Sequence, residues 1–378
     1  MKTNLKKLLY SGVTLMSLGV LAACSSTSSS TTTSSSVTTS QSSTTSSNST
    51  SADSSSSSID WSALPTTEVT LSNDGLKITE GGTYILTGST TAGVTVETDA
   101  NVRIILAGAE ISSSDTAAIN VISADNVELE IQDGTSNTVK DTSSHSDTNI
   151  EGAIHVEADL TITGNGNLTV EGNFQDGIVS TDDLVINAGN ITVTAVDDGI
   201  RGKDSLTING GTINVTAGGD GIKSTNDTDT TKGYTRITGG DITVKAGDDA
   251  IKAETALTID GGTITVPESL EALEGTNITI NGGTLDVYGS DDAINAASTT
   301  STDIFIKVTG GDLKVAVGSG DTDAFDANGD IYVSGGTIDV TAQSAFDFDG
   351  TAELTGGTVR VNGEQISQIV ATGPGARW

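Results

Sequence analysis

The phrase INGGTINV at Ile208 returns with small changes as INAGNITV at Ile186, ITGGDITV at Ile237, IDGGTITV at Ile259 and INGGTLDV at Ile280. VTGGDLKV, VSGGTIDV and LTGGTVRV continue the series from Val308, Val333 and Leu354. With the degenerate ITGNGNLTV at Ile162, the second turn position falls at residues 166, 189, 211, 240, 262, 283, 311, 336 and 357. The base interval is 21 or 22 residues, lengthened in places by insertions. A unit that short cannot bury an apolar face alone, so the copies must stack and share one core.

Within a unit the apolar residues alternate over short stretches: Leu206 and Ile208, then Ile213 and Val215, then Ile222, separated by Gly, Asn and Asp. That is the period of a strand, not of a helix. Three strands of three to five residues per unit, broken by corners, can bond only to the units above and below. The expected fold is therefore all-β, a parallel β-helix. Stacking should place Ile213, Ile242, Ile264, Leu285, Leu313, Ile338 and Val359 in one inward column. A second column should hold Ile200, Ile222, Ile251, Leu273, Ile294, Phe325 and Phe346. A left-handed coil is disfavoured, because its hexapeptide repeat runs to roughly 18 residues, and no nine-residue calcium-roll period is present. Weaker copies from Thr67 to about Ile154 predict three further coils, about 12 in all. TEGGTYILTG around Tyr84 is expected to begin the cap over the first coil's open edge.

Composition supports a core of small aliphatics. Aromatic residues make up 3% and Cys occurs once, which excludes a disulfide scaffold. Lys and Arg number 17 against 50 Asp and Glu, a net charge of −33 that repels nucleic acid and anionic lipid surfaces. No nucleic-acid partner is expected, and a monomer is.

Lys2, Lys6 and Lys7 precede an apolar stretch from Leu8 to Ala23 that reads as a processing segment. Its end, Leu21, Ala22, Ala23, Cys24, resembles the bacterial lipobox, which implies cleavage before Cys24 and thioether lipidation of its sulfur. From Ser25 to Ser58, 29 of 34 residues are Ser or Thr, a composition too polar to offset the entropy of ordering. The expected organisation is a signal peptide over 1–23, lipidated Cys24 and a tether over 24–58, and the β-helix over 59–378. Residues 59–154 would supply the cap and irregular coils, and 155–365 the regular repeats. The place of action would be the extracellular face of the cell membrane, reached through the lipid alone.

A second motif follows each turn phrase: QDGIV at Asp176, DDGIR at Asp198, GDGIK at Asp220, DDAIK at Asp249, LEALE at Glu271, DDAIN at Asp292 and TDAFD at Asp323. Ser344 takes the position in the last clear coil. Stacking brings these carboxylates to about 4.8 Å spacing, where neighbours repel by about 1 kcal/mol in water and several times more near a protein surface. Counter-charge is required. Arg201, Lys223 and Lys252, three residues after their acids, can pair with them in the central coils. From Glu254 onward there are 19 acids against Lys307, Lys314, Arg360 and Arg377, so protein cations cannot cover the rest. Hard oxygen donors with almost no His or Cys favour Ca²⁺, and the candidate ligands are Asp198, Asp220, Asp249, Asp291, Asp292, Asp321, Asp323 and Asp326. The competing reading is that these acids cap backbone N–H groups at corners.

Polar insertions at about Ser224 to Gly233 and Ala296 to Thr302 leave the same corner three coils apart. They are expected to wall a shallow groove across the acidic column. His145 and His155 read as loop and strand-surface residues. Tyr234, Tyr288 and Tyr332 are too few for an aromatic stacking platform.

The repeated INGGTIxV and DDAIK phrases resemble a secreted bacterial carbohydrate-binding β-helix family related in shape to pectate lyases, over roughly residues 60–365. The resemblance implies a right-handed β-helix, bound calcium and affinity for acidic or plant-type polysaccharide. Family calcium ligands carry over only to the DD and DA positions; Glu271 and Ser344 depart from that pattern. Non-catalytic glycan binding is the leading reading. A calcium-dependent lyase, with Arg201, Lys223 or Lys252 as base, is the alternative, and a structural spacer or adhesin the third.

Overall fold

The computed structural model describes residues 59–320 and 322–372. The chain divides between Ser57 and Ser58, and the second unit is the one described. The leader, Cys24, the Ser/Thr segment and Asp321 lie outside the described residues. Among those described there is one short 3₁₀ turn, Trp61–Ala63, and otherwise only strands and their connections. No helix there is long and apolar enough to cross a membrane.

The strands join in one continuous sheet, and every pairing among them is parallel except that of Thr358–Val361 with Glu364–Gln365. Consecutive strands in the chain lie in different stacks. Ile200–Gly202 pairs with Ile222–Ser224, and the same column continues through Ile251–Ile259, Leu273–Ile280, Ile294–Ala296, Asp323–Ala327 and Ser344–Phe348. Toward the N-terminus it runs back through Asp176–Ser180, Gly152–Val156, Ile119–Ser123, Val94–Glu97 and Leu76–Ile78. Such pairing is what a parallel coil stack demands, because parallel neighbours need a crossover between them and each unit supplies one.

Both inward columns form in the expected register. Ile213 faces Ile242, then Ile264, Leu285, Leu313, Ile338 and Val359, each at most 2% exposed. The other column ends in Phe325 and Phe346, whose rings stack at 5.3 Å. In-register β-branched side chains repeat the same contact from coil to coil, which is why so few rings suffice.

The turn phrase has a backbone cause. Gly211, Gly240, Gly262 and Gly283 have φ between 94° and 103°, a region closed to most residues with a Cβ. A Cβ at Gly336 would also stand 2.9 Å from the carbonyl oxygen of Gly311 in the coil below. Left-handed conformation and close stacking of turns both exclude a side chain. In the degenerate first phrase the positive φ falls on Gly164, not on Gly166.

The cap differs from expectation. Gly82–Thr90, which contains Tyr84, pairs on one side with Thr66–Leu71 and on the other with Val102–Ser112, so it is the second strand of its stack. The outer strand is Thr66–Leu71, whose side chains are largely exposed. At the other end Thr372 Oγ1 accepts from the backbone N–H groups of Ala345 (2.8 Å) and Phe346 (3.1 Å), satisfying the last inward strand.

Candidate functional site

The acidic column forms, and its members cap the backbone. Asp176 Oδ1 accepts from the Asp198 N–H (3.1 Å), Asp198 Oδ1 from the Asp220 N–H (3.0 Å), and Asp220 Oδ1 from the Asp249 N–H (3.0 Å). Asp292 Oδ1 does the same for Asp323 (2.7 Å). An aspartate fits because its short side chain reaches one coil along the stack and satisfies an N–H that the corner leaves unpaired. One oxygen of each of these four acids is thereby structural. Chemistry is left to the other.

That second oxygen meets a neighbouring column, formed by the residue three positions after each acid. In register this column reads Arg201, Lys223, Lys252, Glu274, Asn295, Asp326, Asp347. Arg201 does not pair with Asp198 of its own coil; it reaches back to Asp176 Oδ2 (2.8 Å) and to Glu151. Lys223 bridges Asp198 (2.6 Å) and Asp220 (2.9 Å). Lys252 bridges Asp249 (2.7 Å) and Glu274. Four buried aspartates are thus held by three cations.

From Glu271 on, the neighbouring column is itself acidic or neutral, and among the described residues no Lys or Arg forms an ion pair with Glu271, Asp292, Asp326 or Asp347. Glu271 accepts from Asn295 Nδ2 (2.9 Å). Burial, then the Asp249 and Asp292 charges, push its carboxyl up to about 7, against the opposing pull of that amide. Asp326 is pushed up to about 7 by burial and by Asp292, Asp323 and Asp347. Asp292 rises to about 6, chiefly by burial, with Asp291 and Asp323 adding to it. The Asp292 and Asp326 carboxyls face each other closely enough that each acts on the other's protonation. The side-chain oxygen of Asn295 is buried without a hydrogen-bond partner.

Among the described residues carboxyl oxygens converge in two places, Asp220 with Asp248 and Asp249, and Asp249 with Glu271 and Glu274, within 4.8 Å of one another in each. Of the eight candidate ligands, Asp198 and Asp220 have both oxygens engaged, by backbone and by Lys223. Asp249 lies in both clusters but is bound to Lys252. Asp292 and Asp326 come together, Asp323 is buried and accepts from Ser344 Oγ, Asp291 is exposed, and Asp321 lies outside the described residues. Asn295 is not among the expected ligands; its signal in the sequence is an Asn in a column that carries Arg201, Lys223 and Lys252 in earlier coils and Glu274 in the one before.

Arg201, Lys223 and Lys252 are all held more firmly protonated than usual, since their carboxylate partners outweigh the opposing effect of burial. A general base must release its proton, so their geometry suits ion-pair partners. His145 lies in a loop as expected, but it is buried, and His155, expected at the strand surface, is buried too. His145 is 7% and His155 3% exposed. The connection after Lys140 folds over this face: His145 packs on Phe174 at 4.4 Å and faces Asp141 at 3.0 Å. Burial, then the Arg201 charge, depresses His155 to about 4.

The two polar insertions do enclose a cleft, of about 730 Å³. It lies beside the acidic column and not across it: Lys252 and Glu274 line it, while Asp249, Glu271 and Asp292 do not.

Residues 72–324 match the family described as carbohydrate-binding domain-containing protein, and the chain belongs to that family. A carbohydrate-binding domain-containing protein of Acetivibrio thermocellus is 35% identical over 135 residues, which is 34% of this chain and 47% of that one. The chain thus spans about half the length of this curated relative. The solved structure of a polysaccharide lyase-like protein from C. thermocellum, a gadolinium derivative, is similar with a TM-score of 0.52 at 33% identity, covering 58% of this chain and 93% of that one.

Proposed function

We propose that this is a non-catalytic carbohydrate-binding protein, a right-handed parallel β-helix held on the extracellular face of the membrane through lipidated Cys24, that takes acidic polysaccharide with the help of Ca²⁺. One observation carries the reading. Where Arg201, Lys223 and Lys252 give way to Glu274, Asn295 and Asp326, the half-buried carboxyls of Glu271, Asp292 and Asp326 form no ion pair with Lys or Arg among the described residues, and the Asn295 amide oxygen is buried without a partner.

Carboxylate and amide oxygens are the hard donors that Ca²⁺ prefers, so the donor set fits. Asp292, Asp326 and Asn295, with Glu271 one coil before and Asp323 one coil after, would offer oxygens to the ion. Of these acids only Glu271 belongs to a group that already converges within 4.8 Å, so the other side chains would close on the ion, and Asp291 would face it from the solvent side. Bound calcium supplies the positive charge by which one anionic surface accepts an anionic glycan. Asp198 and Asp220 belong to the self-neutralised stretch and would serve the backbone, and Asp249 would bind calcium only by releasing Lys252. Gadolinium in the related structure is likewise a hard, oxygen-seeking cation, and the family description supplies the glycan.

Calorimetry with polygalacturonate, with calcium and then with chelator, tests the reading. Calcium-dependent binding without new absorbance from unsaturated uronides is expected. Appearance of that absorbance would make the protein a lyase, and no binding at all would leave a spacer.

A further inference from the structure

We propose that the cleft between the two polar loops is a second glycan site, one that takes an uncharged stretch of polysaccharide. The proposal rests on the carbohydrate-binding reading but not on calcium. Its construction is specific to this region. Ser224, Ala253, Gly275 and Ala296 stand in register at one corner; loops leave the first and last, while the two coils between run through the corner as the unbroken strands Ile251–Ile259 and Leu273–Ile280. Loops make the walls and uninterrupted strands the floor. The volume of about 730 Å³ falls within the range of small-ligand clefts.

Both walls are fixed in advance. Asn226, 7% exposed, donates to Asp204 Oδ1 (2.6 Å), and its Oδ1 accepts from Thr228 Oγ1 (3.0 Å) and the Asp229 N–H (3.0 Å). Across the cleft Ser298 Oγ accepts from the N–H groups of Thr300 (3.2 Å) and Ser301 (3.0 Å). A wall already ordered loses little entropy when a ligand arrives.

The lining selects the ligand. Tyr234, 38% exposed, offers a single ring, and Thr230, Ser298 and Asn328 offer hydroxyls and an amide. Four carboxylates, Asp227, Asp229, Glu254 and Glu274, share the cleft with one cation, Lys252, which is already bound to Asp249 and Glu274. That excess of negative charge repels uronate, whereas carboxylates readily accept from sugar hydroxyls. A pyranose chain without charge satisfies ring, hydroxyls and carboxylates together.

The test is calorimetry on the full chain with cello-, xylo- and manno-oligosaccharides and with oligogalacturonide, each in calcium and in chelator. At least one neutral oligosaccharide should bind in chelator. Tyr234→Ala should weaken it about tenfold and Asn328→Ala several-fold, with Tyr234→Phe and calcium-dependent oligogalacturonide binding within about twofold of the parent. Thermal melts of the variants separate lost contacts from lost folding. Binding of no neutral glycan at millimolar concentration would overturn the proposal, as would neutral binding that Tyr234→Ala and Asn328→Ala leave unchanged. If neutral glycan binds and oligogalacturonide does not, the cleft stands and the calcium reading falls; if nothing binds, both fall.

Discussion

The coils of Asp176, Asp198, Asp220 and Asp249 and the coils of Glu271, Asp292 and Asp323 carry an acid at the same place, yet lysine and arginine bridge the first group and, among the described residues, form no ion pair with Glu271 or Asp292. The backbone device is common to both: an aspartate capping the N–H one coil on recurs at Asp198 and at Asp292. What changes is the column beside it, basic up to Lys252 and acidic or neutral beyond. The residue after the acid changes nearby, from Gly177, Gly199 and Gly221 to Ala250, Ala272, Ala293 and Ala324. A stacked fold can thus keep one column constant for stability and vary its neighbour for function.

Removing a cation from the neutralised stretch should have the largest effect. Lys223→Met leaves Asp198 and Asp220 buried and unpaired, and chemical denaturation near pH 7 should register a loss of about 3 kcal/mol. Asp292→Asn in the other stretch keeps an oxygen for the Asp323 N–H and removes a carboxyl of raised pKa. It should leave the calcium-free protein as stable or more so, while abolishing any stabilisation by calcium. Equal destabilisation by both variants would erase the distinction between the regions.

Packing gives the next largest contrast. A Cβ on Gly199 would lie 2.3 Å from Val215 Cγ1 and 2.4 Å from the Gly221 oxygen, so Gly199→Ala should cost about 1–3 kcal/mol by overpacking. Ala293→Gly, in the second stretch, should cost about 1 kcal/mol, through backbone entropy and a lost methyl. Reversal of that order would mean that the two corners are not built as described.

A pH series sharpens the comparison more gently. Glu271, Asp292 and Asp326 have folded pKa values above their ordinary ones, so the folded state binds the extra protons. Their contribution is fully present below the ordinary carboxylate pKa and is lost as pH rises to about 7. In chelator the melting temperature should fall by a few degrees between about pH 5 and about pH 7.5, less steeply in Asp326→Asn, and calcium should flatten the decline. A melting temperature that climbs over this range in chelator would contradict the assignment. Smallest of all, Lys314→Ala breaks a pair with Asp286 whose side chains are 74% and 63% exposed, and no measurable change in stability is expected.

Much of this was legible in the residues themselves. The inward columns could be written down because in-register parallel pairing puts equivalent positions on top of one another, and β-branched residues mark those positions. The shortage of cations beyond Lys252 was equally visible. The partners were not. Arg201 was expected to serve its own coil, but its length carries it to Asp176 and Glu151, a matter of reach across the stack that spacing does not encode. His155 lies in register with Asn120 and Val179, yet is 3% exposed, a burial that strand period alone does not encode. The cleft was foreseen from its loops yet misplaced by one column, since loop direction depends on bonds such as that of Asn226 to Asp204.

By itself, then, the sequence determined the repeat, the strand period, the inward columns and the excess of negative charge, because each follows from local pattern and counting. Only the tertiary structure decided which carboxyl oxygens the backbone consumes, which the lysines neutralise, and which stand beside the unpartnered oxygen of Asn295. Those outcomes depend on distances between side chains one coil apart, and a difference of one bond length there decides whether an acid is structural or free to act.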